Sequence, residues 1–197
     1  MDDFTRDSAY PDHPAPEWKP APPARKSHLL IALFPDAAVQ AAIEAHRKDW
    51  LWPEGHYFPR NDRMHLTLHC LADQKSPVEQ RLREALAQVP VHPMELVLDS
   101  SRTWDSIAVA QPAEHAGLRA LQQHIGHAVR QLGIPTDRRR FTPHITIARE
   151  AASAAYPMRM PPIIWRATKF LLIRSFTKPV FKHEVLASYE AKENAYV

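Results

Sequence analysis

The sequence has a single cysteine, Cys70, and no apolar run near the roughly 18 residues needed for a membrane-spanning helix. One cysteine cannot form an internal disulfide bond, so a reducing compartment is expected. The N-terminal residues also lack the apolar core of a signal peptide. We therefore expect a cytoplasmic protein with no membrane partner.

The chain also lacks a strong excess of either charge. Its 25 lysines and arginines exceed its 22 aspartates and glutamates by three, a formal net charge of +3. This excess is too small for the basic stripe of a duplex DNA binder, but it suits a ligand that carries phosphate. Apolar residues make up 45% of the 197 positions. The length suits one domain or two small lobes that share a core.

Composition divides the chain into two parts. Residues 1–26 contain six of the prolines and few aliphatic residues. Such a segment cannot bury enough surface to offset its ordering entropy, so we predict a disordered, proline-rich arm. Residues 27–197 are predicted to form a single folded domain.

Hydrophobic periodicity predicts strands and helices that are intermixed along the chain and end in strands. The predicted strands cover 28–34, 64–71, 94–98, 106–110, 141–148, 165–175 and 180–189. The predicted helices cover 37–49, 76–88 and 112–132, with Asp36 and Ser76 as N-caps and Gly133 after the last helix. This order predicts an α+β fold with helices packed on antiparallel or mixed sheets.

One short pattern occurs twice. His65-Leu66-Thr67-Leu68 recurs 79 residues later as His144-Ile145-Thr146-Ile147. Alternate side chains of a strand share a face, so each histidine should point the same way as its threonine. If the two halves are related by a pseudo-two-fold axis, two imidazoles and two hydroxyls would line one cleft.

This set of groups suits phosphoryl chemistry without a metal or another cofactor. A neutral histidine can take a proton from the attacking oxygen, while a protonated one gives a proton to the leaving oxygen. Thr67 and Thr146 can donate hydrogen bonds to the non-bridging phosphate oxygens. Cyclic 2′,3′-phosphates are natural substrates for such a pair.

The two motifs resemble those of the 2H phosphoesterase superfamily, especially the bacterial RNA 2′,3′-cyclic phosphodiesterases, historically called 2′-5′ RNA ligases. Further similarity lies in 30–36, in 141–149 and in Trp165 followed by 170–175, and the resemblance covers about residues 27–190. It implies a bilobal, pseudo-symmetric fold in which two sheets face a central cleft and helices pack outside. It also implies hydrolysis of RNA 2′,3′-cyclic phosphate ends to 2′-phosphates, with 2′-5′ ligation left open. A monomer fits the size of the chain.

The resemblance also implies roles for individual residues. His65 would be the proton donor and His144 the proton acceptor, and these roles reverse in the ligation direction. Arg149 matches a family arginine that contacts the phosphate. Strict alternation puts Arg149 on the face opposite His144, so it can reach the cleft only where the strand ends or bulges.

Other readings of the histidines and of the cysteine are weaker. His65 and His69 have the spacing of a zinc-binding helix, but Leu66 stands where that motif needs a glutamate. His69 is expected at a strand end, and the alternative is the cleft face beyond Thr67. His124 and His127 are expected on a solvated or half-buried helix face. Cys70 is a possible nucleophile, but it shares the predicted face of the motif's aliphatic residues and is expected in the core.

Two segments and two functional alternatives stay open. Arg138-Arg139-Arg140 is either an RNA-backbone contact or a solvated loop. The aromatic loop 52–59, unusual for the family, is either a base-stacking surface or a core anchor. The alternatives to RNA hydrolysis are a 2H-type enzyme for a small cyclic nucleotide and a non-catalytic scaffold that binds nucleotide or RNA.

Overall fold

The computed structural model describes residues 27–177 and 181–191, so the predicted arm at 1–26 lies outside the described residues. The strands are β1 (Ser27–Leu33), β2 (Leu66–Ala72), β3 (Met94–Trp104), β4 (Ile107–Pro112), β5 (Ile145–Arg149), β6 (Ile163–Ala167), β7 (Lys169–Phe176) and β8 (Lys182–Glu190). The helices are α1 (Ala37–Arg47), α2 (Ser76–Ala87) and α3 (Ala116–Gln131), with a short 3₁₀ turn at Asn61–Arg63.

The strands form one eight-stranded antiparallel sheet in the order β6-β3-β4-β5-β2-β1-β7-β8. Its two four-stranded halves meet where β2 pairs with β5. The sequences β1-α1-β2 and β4-α3-β5 occupy equivalent places in the two halves, and each ends in one copy of the motif. The predicted α+β fold is confirmed, and the two sheets that the resemblance implied are joined into one.

The three helices cover one face of the sheet. Ile43 of α1, Leu82 of α2 and Ile125 of α3 are fully buried in one core cluster with strand residues from both halves. β1 is buried on both faces, because Leu30 and Ala32 pack in a second, small cluster on the other side. Double burial explains why β1 is a continuous apolar run rather than an alternating one. No helix among the described residues has the length and apolar character needed to cross a membrane.

Several predicted boundaries are confirmed and explained by local chemistry. Asp36 caps α1, accepting a hydrogen bond from the Val39 N–H at 2.9 Å. Gly133 follows α3 with a φ of +74°, a left-handed conformation that glycine adopts at little cost. The predicted N-cap Ser76 is instead the first residue of α2, and Lys75 is the cap.

Other predicted elements are wrong in extent. The predicted strand 165–175 is two strands, and these lie in different halves of the sheet: β6 pairs with β3, and β7 pairs with β1 and β8. The consecutive exposed residues Thr168 and Lys169 mark the break in alternation. The third predicted strand continues beyond 98 to Trp104, through a polar stretch that pairs with β4. α3 begins at Ala116 rather than 112, since Pro112 belongs to β4 and His115 caps the helix.

Candidate active site

The two motif histidines lie side by side at the junction of the two halves. His65 immediately precedes β2 and His144 immediately precedes β5. The following residues, Leu66 and Ile145, are paired across the junction and fully buried. The aliphatic residues of the motifs therefore anchor the strands in the core, and the histidines share the opposite side of the sheet.

Each histidine ring is held by a backbone carbonyl two residues before it. His65 Nδ1 lies 2.7 Å from the Arg63 oxygen, and His144 Nδ1 lies 2.8 Å from the Thr142 oxygen. A carbonyl oxygen can only accept, so Nδ1 carries the proton and donates in both residues. This leaves Nε2 of each imidazole as the nitrogen that can exchange a proton with a ligand.

A β-bulge follows the threonine in both motifs. On β2, Ile31 pairs with His69 and Ala32 with Thr67, so Leu68 is the extra residue. On β5, Ala108 pairs with Ala148 and Val109 with Thr146, so Ile147 is the extra residue. A bulge shifts all later side chains by one face. Arg149 therefore lies on the cleft face, because the strand bulges where the sequence analysis required a bulge or a strand end.

All five predicted site residues line one cleft of about 370 Å³: His65, Thr67, His144, Thr146 and Arg149. Sequence reasoning did not assign four further residues of its wall, which are Tyr57, Pro59, Arg63 and Phe181. Tyr57 and Pro59 belong to the aromatic loop, and Arg63 belongs to the basic segment that precedes the first motif. The composition of these two segments could therefore have pointed to the three residues. Phe181 lies between the last two strands, where no pattern singled it out.

His65 is packed among groups that oppose its protonation. Its ring contacts Phe34 and His183, at centroid separations of 5.4 and 5.7 Å. The pKa of His65 is lowered to about 4, mainly by burial. The hydrogen bond from Nδ1 to the Arg63 carbonyl raises this pKa, whereas the nearby charges of His183, Arg149 and His144 lower it further. The pKa of His183 is also lowered, first by burial and then by Arg63. The free protein therefore holds His65 neutral at physiological pH.

A second cavity, of about 440 Å³, opens on the other side of His144. It shares Thr67 and His144 with the cleft, and its other lining residues include Cys70, Arg139 and Arg140. The Trp104 ring lies edge-on to His144 at 4.8 Å. Within the predicted basic run, the Arg139 side chain is paired with Asp137, at 2.6 Å, and Arg140 lies at the cavity wall.

The bulge on β2 overturns two expectations. His69 is buried on the helix side, where its Nε2 lies 2.8 Å from the Gln122 oxygen of α3, so it lies neither at a strand end nor beside His65. Cys70 is exposed rather than in the core. Alternation predicted the wrong faces because it does not register the extra residue, Leu68.

The remaining histidine predictions concern metal binding. His124 and His127 are both exposed on α3, as expected for a solvated helix face. Over residues 27–177 and 181–191, no three His, Cys, Asp or Glu side chains are grouped so that they could hold a metal ion.

The aromatic loop is partly an anchor and partly exposed. Trp50 is buried and stacks on Trp52 at 4.7 Å, and Trp52 stacks on His56 at 5.5 Å. Tyr57 and Phe58 are 52% and 42% exposed. Tyr57 is held against the strand of the second motif by two backbone hydrogen bonds with Arg149, of 3.1 and 3.0 Å.

Solved structures share this architecture. Escherichia coli LigT, solved in complex with 3′-AMP, aligns with a TM-score of 0.73 and 22% identity over 86% of this chain and 100% of that one. A Thermus thermophilus protein, TT0787, aligns with a TM-score of 0.63 and 27% identity over 83% of this chain and 97% of that one. A structure described as a phosphoesterase also aligns, with a TM-score of 0.73 and 22% identity over 85% of this chain and 99% of that one. The fold is that of the LigT-like phosphoesterases.

Sequence comparison assigns the family. The model of the 2′-5′ RNA ligase superfamily matches residues 34–175, and the chain belongs to that superfamily. A curated relative from Geobacillus stearothermophilus, named RNA 2′,3′-cyclic phosphodiesterase, is 28% identical over an alignment of 188 residues, and the alignment covers 84% of this chain. The chain spans 57% of the length of that relative. The family resemblance drawn from the two motifs is confirmed.

Proposed function

We propose that the protein hydrolyses RNA 2′,3′-cyclic phosphate ends to 2′-phosphates, with His65 and His144 as the acid and base. The observation that carries this proposal is the matched pair of Nδ1 hydrogen bonds to the Arg63 and Thr142 carbonyls. They leave both Nε2 atoms for proton transfer in one cleft. The name of the Geobacillus stearothermophilus relative and the 3′-AMP complex of Escherichia coli LigT support a nucleotide phosphate as substrate.

The reaction then needs one water and no net change of protons. His144 Nε2 takes a proton from the water as its oxygen attacks phosphorus. The P–O3′ bond breaks, and His65 Nε2 gives its proton to O3′. The products are a 2′-phosphate and a free 3′-hydroxyl. Thr67 and Thr146 donate hydrogen bonds to the non-bridging oxygens, and the Arg149 guanidinium offsets their charge.

The donor role of His65 depends on the substrate. With a pKa of about 4, free His65 is neutral near pH 7 and has no proton to give from Nε2. A phosphate anion beside Nε2 favours the imidazolium, because an opposite charge within a few ångströms raises a histidine pKa. Substrate binding is therefore expected to be coupled to the uptake, from solvent, of the proton that His65 later donates.

The test is hydrolysis of a short RNA that ends in a 2′,3′-cyclic phosphate, in the presence of EDTA. Wild type is compared with His65→Ala, His144→Ala and, as a matched control, His124→Ala on the exposed face of α3. We expect wild type and the control to yield a 2′-phosphate, and both site variants to lose turnover while keeping their fold. No wild-type turnover, turnover abolished by EDTA, or activity in either site variant would overturn the proposal.

A further inference from the structure

A third cavity lies beside the catalytic cleft and is not used by the mechanism above. It encloses about 560 Å³, and its wall is formed by the aromatic loop and the C-terminal part of α1. Trp52, His56 and Phe58 form its aromatic side, and Arg47 and Lys48 its basic side. We call it the aromatic cavity. Its volume and mixed lining suit a ligand with a flat ring and an anionic group.

The aromatic side is rigid before any ligand binds. Phe58 packs edge-on against Trp52 and His56, at centroid separations of 5.3 and 5.1 Å. The Trp52 indole N–H donates to the Arg47 carbonyl at 2.8 Å, which fixes the ring orientation. Phe58 nevertheless remains 42% exposed. A rigid, partly open set of rings is the arrangement on which nucleobases stack in single-strand-binding proteins.

The basic side contains a buried cation, Arg47, whose pKa is lowered by burial and raised in part by the carboxylate of Glu44 in the same wall. Arg47 is 5% exposed, yet no ion pair of the described residues includes it, and its Nε has no hydrogen-bond partner. Its Nη2 reaches the Met64 sulfur at 3.3 Å, and its guanidinium lies 4.8 Å from the centre of the Phe58 ring. Burying a cation in this way is costly. An anion bound in the cavity would offset that cost.

The aromatic cavity adjoins the catalytic cleft. Tyr57 lines the cleft and the next residue, Phe58, lines the aromatic cavity, while Pro59 lines both. Tyr57 is fixed to the second-motif strand by its backbone bonds to Arg149. A strand whose end lies at the histidines can therefore continue past Pro59 into the aromatic cavity.

We propose that the aromatic cavity binds the nucleotide that precedes the cyclic-phosphate end of an RNA strand. Its base stacks against Phe58, and its phosphodiester lies near Arg47 and Lys48. This inference rests on the proposed function and extends it, because it makes an oligonucleotide end, rather than a free cyclic mononucleotide, the preferred substrate.

The first test compares kcat/KM for 2′,3′-cyclic AMP and for the dinucleotide ApA bearing a 2′,3′-cyclic phosphate. We expect wild type to prefer the dinucleotide by about tenfold or more, in line with the loss of one stacked base. Phe58→Leu should bring this ratio close to one. Leu51→Ala changes an exposed residue next to the same loop and outside the cavity, and it should keep the wild-type ratio. An unchanged ratio in Phe58→Leu, or no preference in wild type, overturns the proposal.

A binding measurement separates this proposal from the proposed function. Calorimetric titration with 2′-AMP and with ApA 2′-phosphate needs no turnover. We expect wild type to bind the dinucleotide more tightly, and Phe58→Leu to lose the difference. If neither cyclic phosphate is hydrolysed but this pattern holds, the catalytic proposal fails and the aromatic subsite stands. Equal binding of both ligands by wild type overturns the subsite.

Lys48→Gln provides an independent variant on the basic side. Removing one phosphate contact should reduce the slope of log affinity against log salt by about 0.7 for a single strand. Arg81→Gln, an exposed arginine of α2 outside the three cavities, should leave the slope unchanged. Equal slopes for wild type and Lys48→Gln would contradict the phosphodiester contact.

Discussion

Leu66 of β2 pairs with Ile145 of β5, and each of these residues directly follows a motif histidine. Both side chains are fully buried under the helices. The pair therefore sets the separation of His65 and His144 and belongs to the core at the same time. Stability and site geometry are coupled at this position, because any change in core packing shifts the strands that carry the histidines.

Leu66→Ala should destabilise the protein and disturb the site. A fully buried leucine truncated to alanine costs about 2–5 kcal/mol, as lost transfer free energy plus the cavity left behind. Urea unfolding measures this loss, and Leu51→Ala, at a position 75% exposed, should stay within about 0.5 kcal/mol of wild type. A loss below about 1 kcal/mol for Leu66→Ala, less than the usual cost of such a truncation, would show that the junction repacks.

Thr67→Val and Thr146→Val should each lower kcat by about a hundredfold, the typical effect of losing one donor to a developing anion. Valine keeps the shape and removes the hydroxyl, so the unfolding free energy should change little. Thr168→Val, at an exposed position between β6 and β7, is the matched control. Steady-state kinetics with a cyclic-phosphate RNA provides the measurement. A site variant with wild-type kcat would remove that hydroxyl from the mechanism.

The motif histidines and threonines could be predicted from the sequence because each motif is local and repeated. Thr67 and Thr146 precede the bulges, so alternation placed them correctly. His69 and Cys70 follow the first bulge, and their predicted positions were wrong for that reason. Arg149 follows the second bulge, which could be anticipated only from the family resemblance.

The sequence pattern also did not predict which strands pair with each other when they lie far apart in the chain. The stretch 165–175 has strand character throughout, yet its first part pairs with β3 and its second with β1, in opposite halves of the sheet. Which strands pair with each other depends on the whole assembled sheet rather than on local propensity. Local propensity also could not place Phe181 and His183 at the site, because they reach it only through the pairing of β8 with β7.

Arg149→Gln should lower kcat/KM by about tenfold to a hundredfold, the value of a hydrogen bond to a charged group. The backbone of Arg149 keeps its bonds to Tyr57, so the fold should be unaffected. Cys70 occupies the equivalent position after the first motif, and Cys70→Ala should retain most of the activity. Equal kcat/KM values for Arg149→Gln and Cys70→Ala would disprove the contact between Arg149 and the substrate phosphate.

Cys70 should react with a maleimide in the native protein, with one label per chain and no denaturant, because it is exposed beside the second cavity. Desolvation, followed by the charge of Asp137, raises the pKa of its thiol. Labelling should therefore accelerate as pH rises above the ordinary range of a cysteine. Mass spectrometry counts the labels. Labelling that requires denaturant would show that Cys70 is buried in the core.

His65 should titrate with a pKa of about 4 in the free protein, and inorganic phosphate should raise this pKa. Nuclear magnetic resonance of the His65 ring, assigned by comparison with His65→Gln, measures both values. A pKa that does not respond to phosphate would argue against His65 as the proton donor.

The same pKa makes stability depend on pH with a defined sign. An unfolded histidine titrates near 6.5, so between about pH 6.5 and 4 the unfolded chain binds the proton that folded His65 refuses. The stability linked to neutral His65 is complete above about pH 6.5 and is lost as pH falls towards 4. Burial lowers the pKa values of His46, His69 and His183 in the same direction. The contribution of His65 is therefore the difference between wild type and His65→Gln in urea unfolding at each pH. Parallel curves for the two proteins over that range would mean that His65 is not held neutral by the fold, and proton uptake on substrate binding would no longer be needed.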